Sequence, residues 1–187
     1  MDNGTCGQSL QLGWDNQASK SNKPSFLGFG DGGLSKYQVY IDGTSIGQFN
    51  SDGFANVCIT APTALADGFH QLTGTEITPH AGYTLAPFDF SVDTVPPAVP
   101  TTPSLSSWSD SGTVGDNITK YRSINFFGTT SEFSTISVQL YSGLLGIAGT
   151  IVNHTDGSWN ATTFTLNDGN YSVQSAAMDE AGNQSAR

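Results

Sequence analysis

Tyr37-Gln38-Val39-Tyr40-Ile41-Asp42-Gly43-Thr44-Ser45-Ile46-Gly47-Gln48 reads as a strand, a tight glycine turn and the start of a second strand. Along an extended chain Val39 and Ile41 fall on one side and Gln38, Tyr40 and Asp42 on the other. That gives one dry face and one wet face, as an antiparallel sandwich requires. The signals that follow keep the same logic. Asp52-Gly53-Phe54 is a turn leading into an aromatic, and Asp67-Gly68-Phe69 opens another strand.

The second half repeats this order. Ile136, Val138 and Leu140 face in while Ser137 and Gln139 face out, and the run ends at the Ser142-Gly143 turn. Asp156-Gly157-Ser158-Trp159 then leads into an aromatic, and Asp168-Gly169-Asn170-Tyr171 opens a strand in which Tyr171, Val173 and Ser175 share a face. The turns are 10 and 15 positions apart in the first half and 14 and 12 in the second. Such uneven spacing indicates a diverged tandem fold and excludes a solenoid of fixed period. Between the halves, Ser91-Val92-Asp93-Thr94-Val95-Pro96-Pro97-Ala98-Val99-Pro100 and the following Thr101-Thr102-Pro103 are too rich in proline for an interior strand, because proline lacks the ladder N–H. The expected organisation is a sandwich over 1–92 with an irregular N-terminal segment, a stiff hinge over 93–103 and a second sandwich over 104–187. Trp159 and Phe164 are the expected core aromatics of the second. No stretch carries apolar residues at helical spacing, so the fold class is all-β.

Composition agrees. The chain has 187 residues and a formal charge of -10, from 6 Lys plus Arg against 16 Asp plus Glu. Nothing in it could neutralise a run of phosphates, which excludes a nucleic-acid backbone binder. Aspartate outnumbers glutamate 13 to 3 and glycine reaches 22, a turn-forming composition. No run approaches the roughly 18 apolar residues of a membrane span. The opening MDNGTCGQSL is not a signal peptide and reads as the start of a piece of a longer chain.

Catalytic signatures are missing. The sequence contains no GxSxG, HExxH, P-loop or dinucleotide fingerprint, and His70, His80 and His154 are not marked as partners of any nucleophile. Gly28-Phe29-Gly30-Asp31-Gly32-Gly33 is glycine-rich, but no helical segment follows to bind an anion, so it reads as a strand connection. The expectation is no enzyme. Cys6 and Cys58 permit one disulfide if the chain is exported; the alternative is a buried Cys58 and an idle Cys6.

The aspartates have two readings. Asp110-Ser111-Gly112-Thr113-Val114-Gly115-Asp116-Asn117 is an oxygen-rich, glycine-bent loop of the kind that suits calcium. Asp93 at the hinge, with Asp179 and Glu180 in a late acidic turn, would serve an ion between the two bodies, while Asp110 and Asp116 would serve the next junction. The other reading is that Asp-Gly and Asp-x-Gly-Asn simply make good turns.

Asp93-Thr94-Val95-Pro96-Pro97, Ser109-Asp110-Ser111-Gly112 with Gly115-Asp116-Asn117-Ile118-Thr119, Gly157-Ser158-Trp159, Leu166-Asn167-Asp168-Gly169-Asn170-Tyr171 and Asp179-Glu180-Ala181-Gly182-Asn183-Gln184-Ser185 together resemble the bacterial Ig-like repeat of large surface adhesins. The resemblance covers 93–187 and is weaker in the first half, which has His80-Ala81-Gly82-Tyr83 and Phe88-Asp89-Phe90-Ser91 in place of the opening and closing motifs. It implies two tandem immunoglobulin-like β-sandwich domains, a place outside the cell or on the bacterial surface, and neighbouring Ig-like repeats as partners. It also implies a spacer role and calcium at Asp93, Asp110, Asp116 and Asp179. Two rivals stand beside the spacer. One is a module binding a host or matrix glycan or protein through Trp14, Phe54 or Tyr83; the other is an accessory domain of a secreted hydrolase.

Overall fold

The structure is a computed structural model that describes residues 9–11, 17–29, 34–51, 56–131, 134–142, 145–152 and 157–187. The chain divides into two compact units, Met1–Val95 and Pro96–Arg187. All regular structure among the described residues is strand.

The first unit contains β1 (Ser9–Gln11), β2 (Gln17–Ser19), β3 (Ser25–Phe29), β4 (Lys36–Ile41), β5 (Thr44–Asn50), β6 (Asn56–Thr60), β7 (Gly68–Thr78) and β8 (Phe88–Val92). One sheet has the order β1-β3-β6 and the other β2-β8-β7-β4-β5. The Asp-Gly turn joins β4 to β5 with both residues left-handed, Asp42 at φ 51° and Gly43 at φ 74°. That is the turn whose twist matches the flanking strands, and Asp tolerates it because its short side chain can bond locally. The β4 alternation emerges as expected, with Tyr37, Val39 and Ile41 buried.

Phe26 and Ile59 come to the core from the smaller sheet, and Val39, Leu72, Phe88 and Phe90 from the larger. The Phe26 ring meets Phe90 edge-on at 4.8 Å and Phe88 at 6.2 Å. Each such fully buried ring or branched side chain contributes about 1.5–3 kcal/mol by leaving water. The strand β8 supplies three of these residues, because Phe88, Phe90 and Val92 point inward and Asp89 outward.

The second unit contains β9 (Ser104–Leu105), β10 (Asn125–Thr129), β11 (Thr135–Ser142), β12 (Leu145–Val152), β13 (Ser158–Thr162) and β14 (Ser172–Met178). Its sheets have the orders β13-β10-β9 and β12-β11-β14. Part of the connectivity repeats that of the first unit: β10 pairs with β13 as β3 pairs with β6, and β11 lies between β12 and β14 as β4 lies between β5 and β7. The core joins Phe126, Trp159 and Ala161 to Ile136, Val138, Leu140 and Ala177.

Trp159 is buried as expected, but Phe164 is not; it is 73% exposed. The chain leaves β13 at Thr162, where Thr163 N–H donates to the Ile124 carbonyl and Leu166 N–H to the Arg122 carbonyl. Those bonds turn Leu166 into the core in place of Phe164.

Candidate functional site

The two units present the same corner in two chemistries. At the start of β14 the Tyr171 hydroxyl donates to the Asn167 carbonyl four residues back, at 2.9 Å. This is the tyrosine corner of immunoglobulin-like sandwiches. At the matching place in β7 stands His70, whose Nε2 lies 2.8 Å from the carbonyl of Ala66, again four residues back. Its Nδ1 lies 2.6 Å from Asp42 Oδ2, and its ring stacks on Phe90 at 5.5 Å. Asp42 Oδ1 also accepts the Gln71 N–H at 2.9 Å, so the β4–β5 turn is tied to β7.

A carboxylate and a carbonyl can only accept, so both ring nitrogens of His70 are satisfied together only in the imidazolium form. Burial alone pulls the His70 pKa down, but the Asp42 hydrogen bond, the Ala66 carbonyl and the Asp42 charge outweigh it and leave the pKa above its ordinary value. For Asp42, burial pushes up, and the His70 bond, the Gln71 N–H and the histidine charge together bring the pKa below the usual carboxylate value. This pair joins residues 28 positions apart, and no local sequence signal marks it.

The loop carboxylates are engaged locally. Asp93 Oδ1 accepts the Val95 N–H, and Asp116 Oδ1 the Ile118 N–H. Asp179 accepts both the Asn183 backbone N–H and its side-chain amide, closing the late acidic turn. Asp110 Oδ2 accepts the Gly115 N–H at 2.6 Å, while its Oδ1 is buried without a hydrogen-bond partner. Among the described residues no three His, Cys, Asp or Glu side chains form a group that could hold a metal ion. Asp93 belongs to the first unit and Asp110, Asp116, Asp179 and Glu180 to the second. Asp67 adds a contact the sequence did not single out: its carboxylate accepts the N–H and the hydroxyl of Thr94, fixing the exit from β8.

Of the three aromatics expected as a ligand platform, Tyr83 is 73% exposed, and Trp14 and Phe54 lie outside the described residues. Cys58, on β6, is disulfide-bonded, and Cys6 lies outside the described residues. The second unit carries two clefts that share Ile124 and Tyr171. One, of about 430 Å³, opens between Leu105, Phe126, Leu140 and Val173; the other, of about 350 Å³, is rimmed by the Arg122–Asp168 pair at 3.3 Å.

A two-sheet sandwich with a tyrosine corner defines an immunoglobulin-like module. Residues 96–187 match the family model of the bacterial Ig-like domain, and the second unit belongs to that family. Among solved structures the chain is similar to a four-repeat segment from the extending region of a large adhesion protein, at 18% identity and a TM-score of 0.38, covering 81% of this chain and 40% of that one. It is also similar to part of a 1.5-MDa bacterial ice-binding adhesin, at 14% identity and a TM-score of 0.34, covering 88% of this chain and 55% of that one. The chain thus spans about half or less of the length of either. No curated protein matches it.

Proposed function

We propose that the chain is a non-catalytic spacer of a longer bacterial surface protein, two immunoglobulin-like modules that hold other parts of that protein away from the cell. One observation carries the reading: a bacterial Ig-like domain preceded by a unit in which the strand order β5-β4-β7 and the β3–β6 pairing recur as β12-β11-β14 and β10–β13. A tandem pair of sandwiches fits a load-bearing role, and residues such as Asp42, Asp67, Asp93 and Asp179 are occupied in turn and linker bonds, not in a shared reactive centre.

The test is made on cells and on the purified chain. Antibody to the second unit labels intact cells, and the purified chain binds neither host cells nor a glycan array. Specific glycan binding abolished by Tyr83→Ala would make the chain a binding module instead. Labelling only after permeabilisation would remove the surface location.

Calcium belongs to the same proposal. The buried Asp110 Oδ1 without a hydrogen-bond partner, in one loop with Asp116, supports it; Asp93, Asp179 and Glu180 are the acids for an ion at the hinge. Calorimetric titration gives saturable calcium binding that weakens in Asp110→Asn or in Asp93→Asn with Asp179→Asn. Absence of heat would leave these aspartates as turn caps alone.

A further inference from the structure

The histidine corner of the first unit and the tyrosine corner of the second hold the same backbone position by different donors. Leu72 pairs with Ile41 of β4 as Val173 pairs with Leu140 of β11, so His70 and Tyr171, each two residues earlier, occupy the same place. Each reaches a carbonyl four residues back, Asn167 for Tyr171 and Ala66 for His70. A phenol donates through the whole neutral range, whereas an imidazole donates from both nitrogens only while it is protonated.

The bond that His70 gives up on losing its proton follows from its two acceptors. The neutral ring has a single N–H. Asp42 is ionised throughout the neutral range, and a hydrogen bond to an ionised acceptor is roughly twice as strong as one to a neutral acceptor. At 2.6 Å from Nδ1, its carboxylate keeps that N–H. Nε2 then turns a lone pair toward the Ala66 carbonyl oxygen 2.8 Å away, and the two repel. The ring stays in place, bound at Nδ1 and stacked on Phe90, so the carbonyl is the group that moves.

That movement reaches the exit from the sandwich. The Ala66 carbonyl lies in the same rigid peptide plane as the Asp67 N–H. The Asp67 carboxylate accepts the Thr94 N–H at 3.2 Å and the Thr94 hydroxyl at 3.0 Å, and Thr94 is the second residue beyond β8. Asp42, from the β4–β5 turn, is the one charge among the described residues that bears on the His70 ring. From β8 the ring meets Phe90, while Asp89 of that strand takes the Gln71 side chain and Asp67 is turned to Thr94.

We propose that His70 is a proton switch on the start of the linker: the imidazolium holds the Ala66–Asp67 peptide and through it Thr94, and the neutral ring lets both go. The bond to Ala66 is complete below about pH 6.5 and is lost as pH rises through the raised folded value. The exit from the first unit is therefore firmer in acid than in alkali. The inference concerns the first unit alone and stands whether or not the chain is a spacer.

Nuclear magnetic resonance of the whole chain, with EDTA present, follows both ends of this connection. The imidazole nitrogen shifts of His70 should show both nitrogens protonated in acid and Nδ1 alone protonated in alkali. Over the same titration the exchange protection of the Thr94 amide, corrected for its intrinsic rate, should fall on the order of tenfold with the His70 midpoint, as expected for the loss of one hydrogen bond to a charged group. In His70→Tyr, which copies the corner of the second unit, Thr94 protection should not change across that range. A neutral His70 with its proton on Nε2 would overturn the proposal, and so would Thr94 protection that ignores the His70 midpoint. An equal fall in His70→Tyr would overturn it too. The first two outcomes are read on the unaltered chain and do not depend on the folding of the variant.

Discussion

Gly128 is the position where a single methyl group tests the packing most directly. It lies on β10 directly opposite Trp159 of β13, and the indole ring, 1% exposed, lies over it. A Cβ built on Gly128 would stand 2.3 Å from Cζ2, 2.5 Å from Cε2 and 2.8 Å from Nε1 of that ring. Carbon atoms pack best at about 3.5–4.0 Å, so the ring must retreat by more than about 1 Å through a filled core. Overpacking of this kind costs about 1–3 kcal/mol. Where no clash intervenes, glycine to alanine at ordinary backbone angles stabilises by about 0.4–1 kcal/mol. The two effects have opposite signs, and the steric one is larger. Gly128→Ala is therefore expected to destabilise the second unit by about 1–2 kcal/mol, or roughly 5–15 °C for a domain of this size. Scanning calorimetry should show one transition moving and the other staying, with tryptophan emission shifted to the red. In Gly128→Ala with Trp159→Leu the loss should be smaller than the sum of the two single losses, because the clash is gone. An unchanged or raised melting temperature for Gly128→Ala would refute the placement of the ring over the glycine.

Three further outcomes follow from side chains of the first unit. The raised pKa of His70 means that its bond to Asp42 stabilises the fold fully below about pH 6.5, the unfolded value, and is lost as pH rises through the folded value. Asp42 works the other way, stabilising above its ordinary 3.8 and losing effect as pH falls through its lowered folded value. The destabilisation caused by His70→Gln should thus be largest near pH 5–6 and shrink by pH 8 on this linkage; a pH-independent difference counts against the pair. Glu76 is buried, with Oε1 lacking a hydrogen-bond partner and Oε2 3.8 Å from His80 Nδ1. Replacing so poorly compensated a carboxylate with an apolar side chain of similar volume, Glu76→Met, should stabilise by about 1 kcal/mol, and a loss of that size in urea titration would show a partner worth more than its desolvation. For the Cys6–Cys58 pairing that the sequence offers, reduction opens a loop of about 50 residues and should cost the first unit about 4 kcal/mol; peptide mapping that shows Cys58 joined to another chain would cancel that figure.

What was legible depended on whether the deciding signal was local. Alternation at Val39 and Ile41, and at Ile136, Val138 and Leu140, is set by the period of an extended chain, and those residues are the buried ones. Asp42-Gly43 announces a turn because few residue types accept two left-handed positions in succession. Phe164 misled because aromatic bulk next to a strand resembles core until one knows that the strand stops at Thr162. The His70–Asp42 pair, the Thr94–Asp67 clasp and the Trp159–Gly128 contact were hidden for another reason. Each joins residues far apart in sequence, through strand pairings that only the folded sheets define. The acidic loops were readable as turns, and Asp116 and Asp179 each accept a backbone N–H from within their own loop.

The parallel pairing of β2 with β8 has a mechanical consequence. Gln17 faces Phe90 and Ser19 faces Val92, so the first long-range pairing of the larger sheet and its last run in the same direction. Tension applied along the polypeptide pulls β2 by its leading end and β8 by its trailing end. The ladder between them is then sheared, with its hydrogen bonds loaded side by side, whereas a hairpin pulled at its open end gives way one bond at a time. Beyond Val92 the load passes through Asp93, whose N–H is held by the Ser19 carbonyl, and Thr94, held by Asp67. A pulling experiment should therefore meet its highest force before β8 moves, and Asp67→Ala should lower that force while leaving the folded sandwich in place.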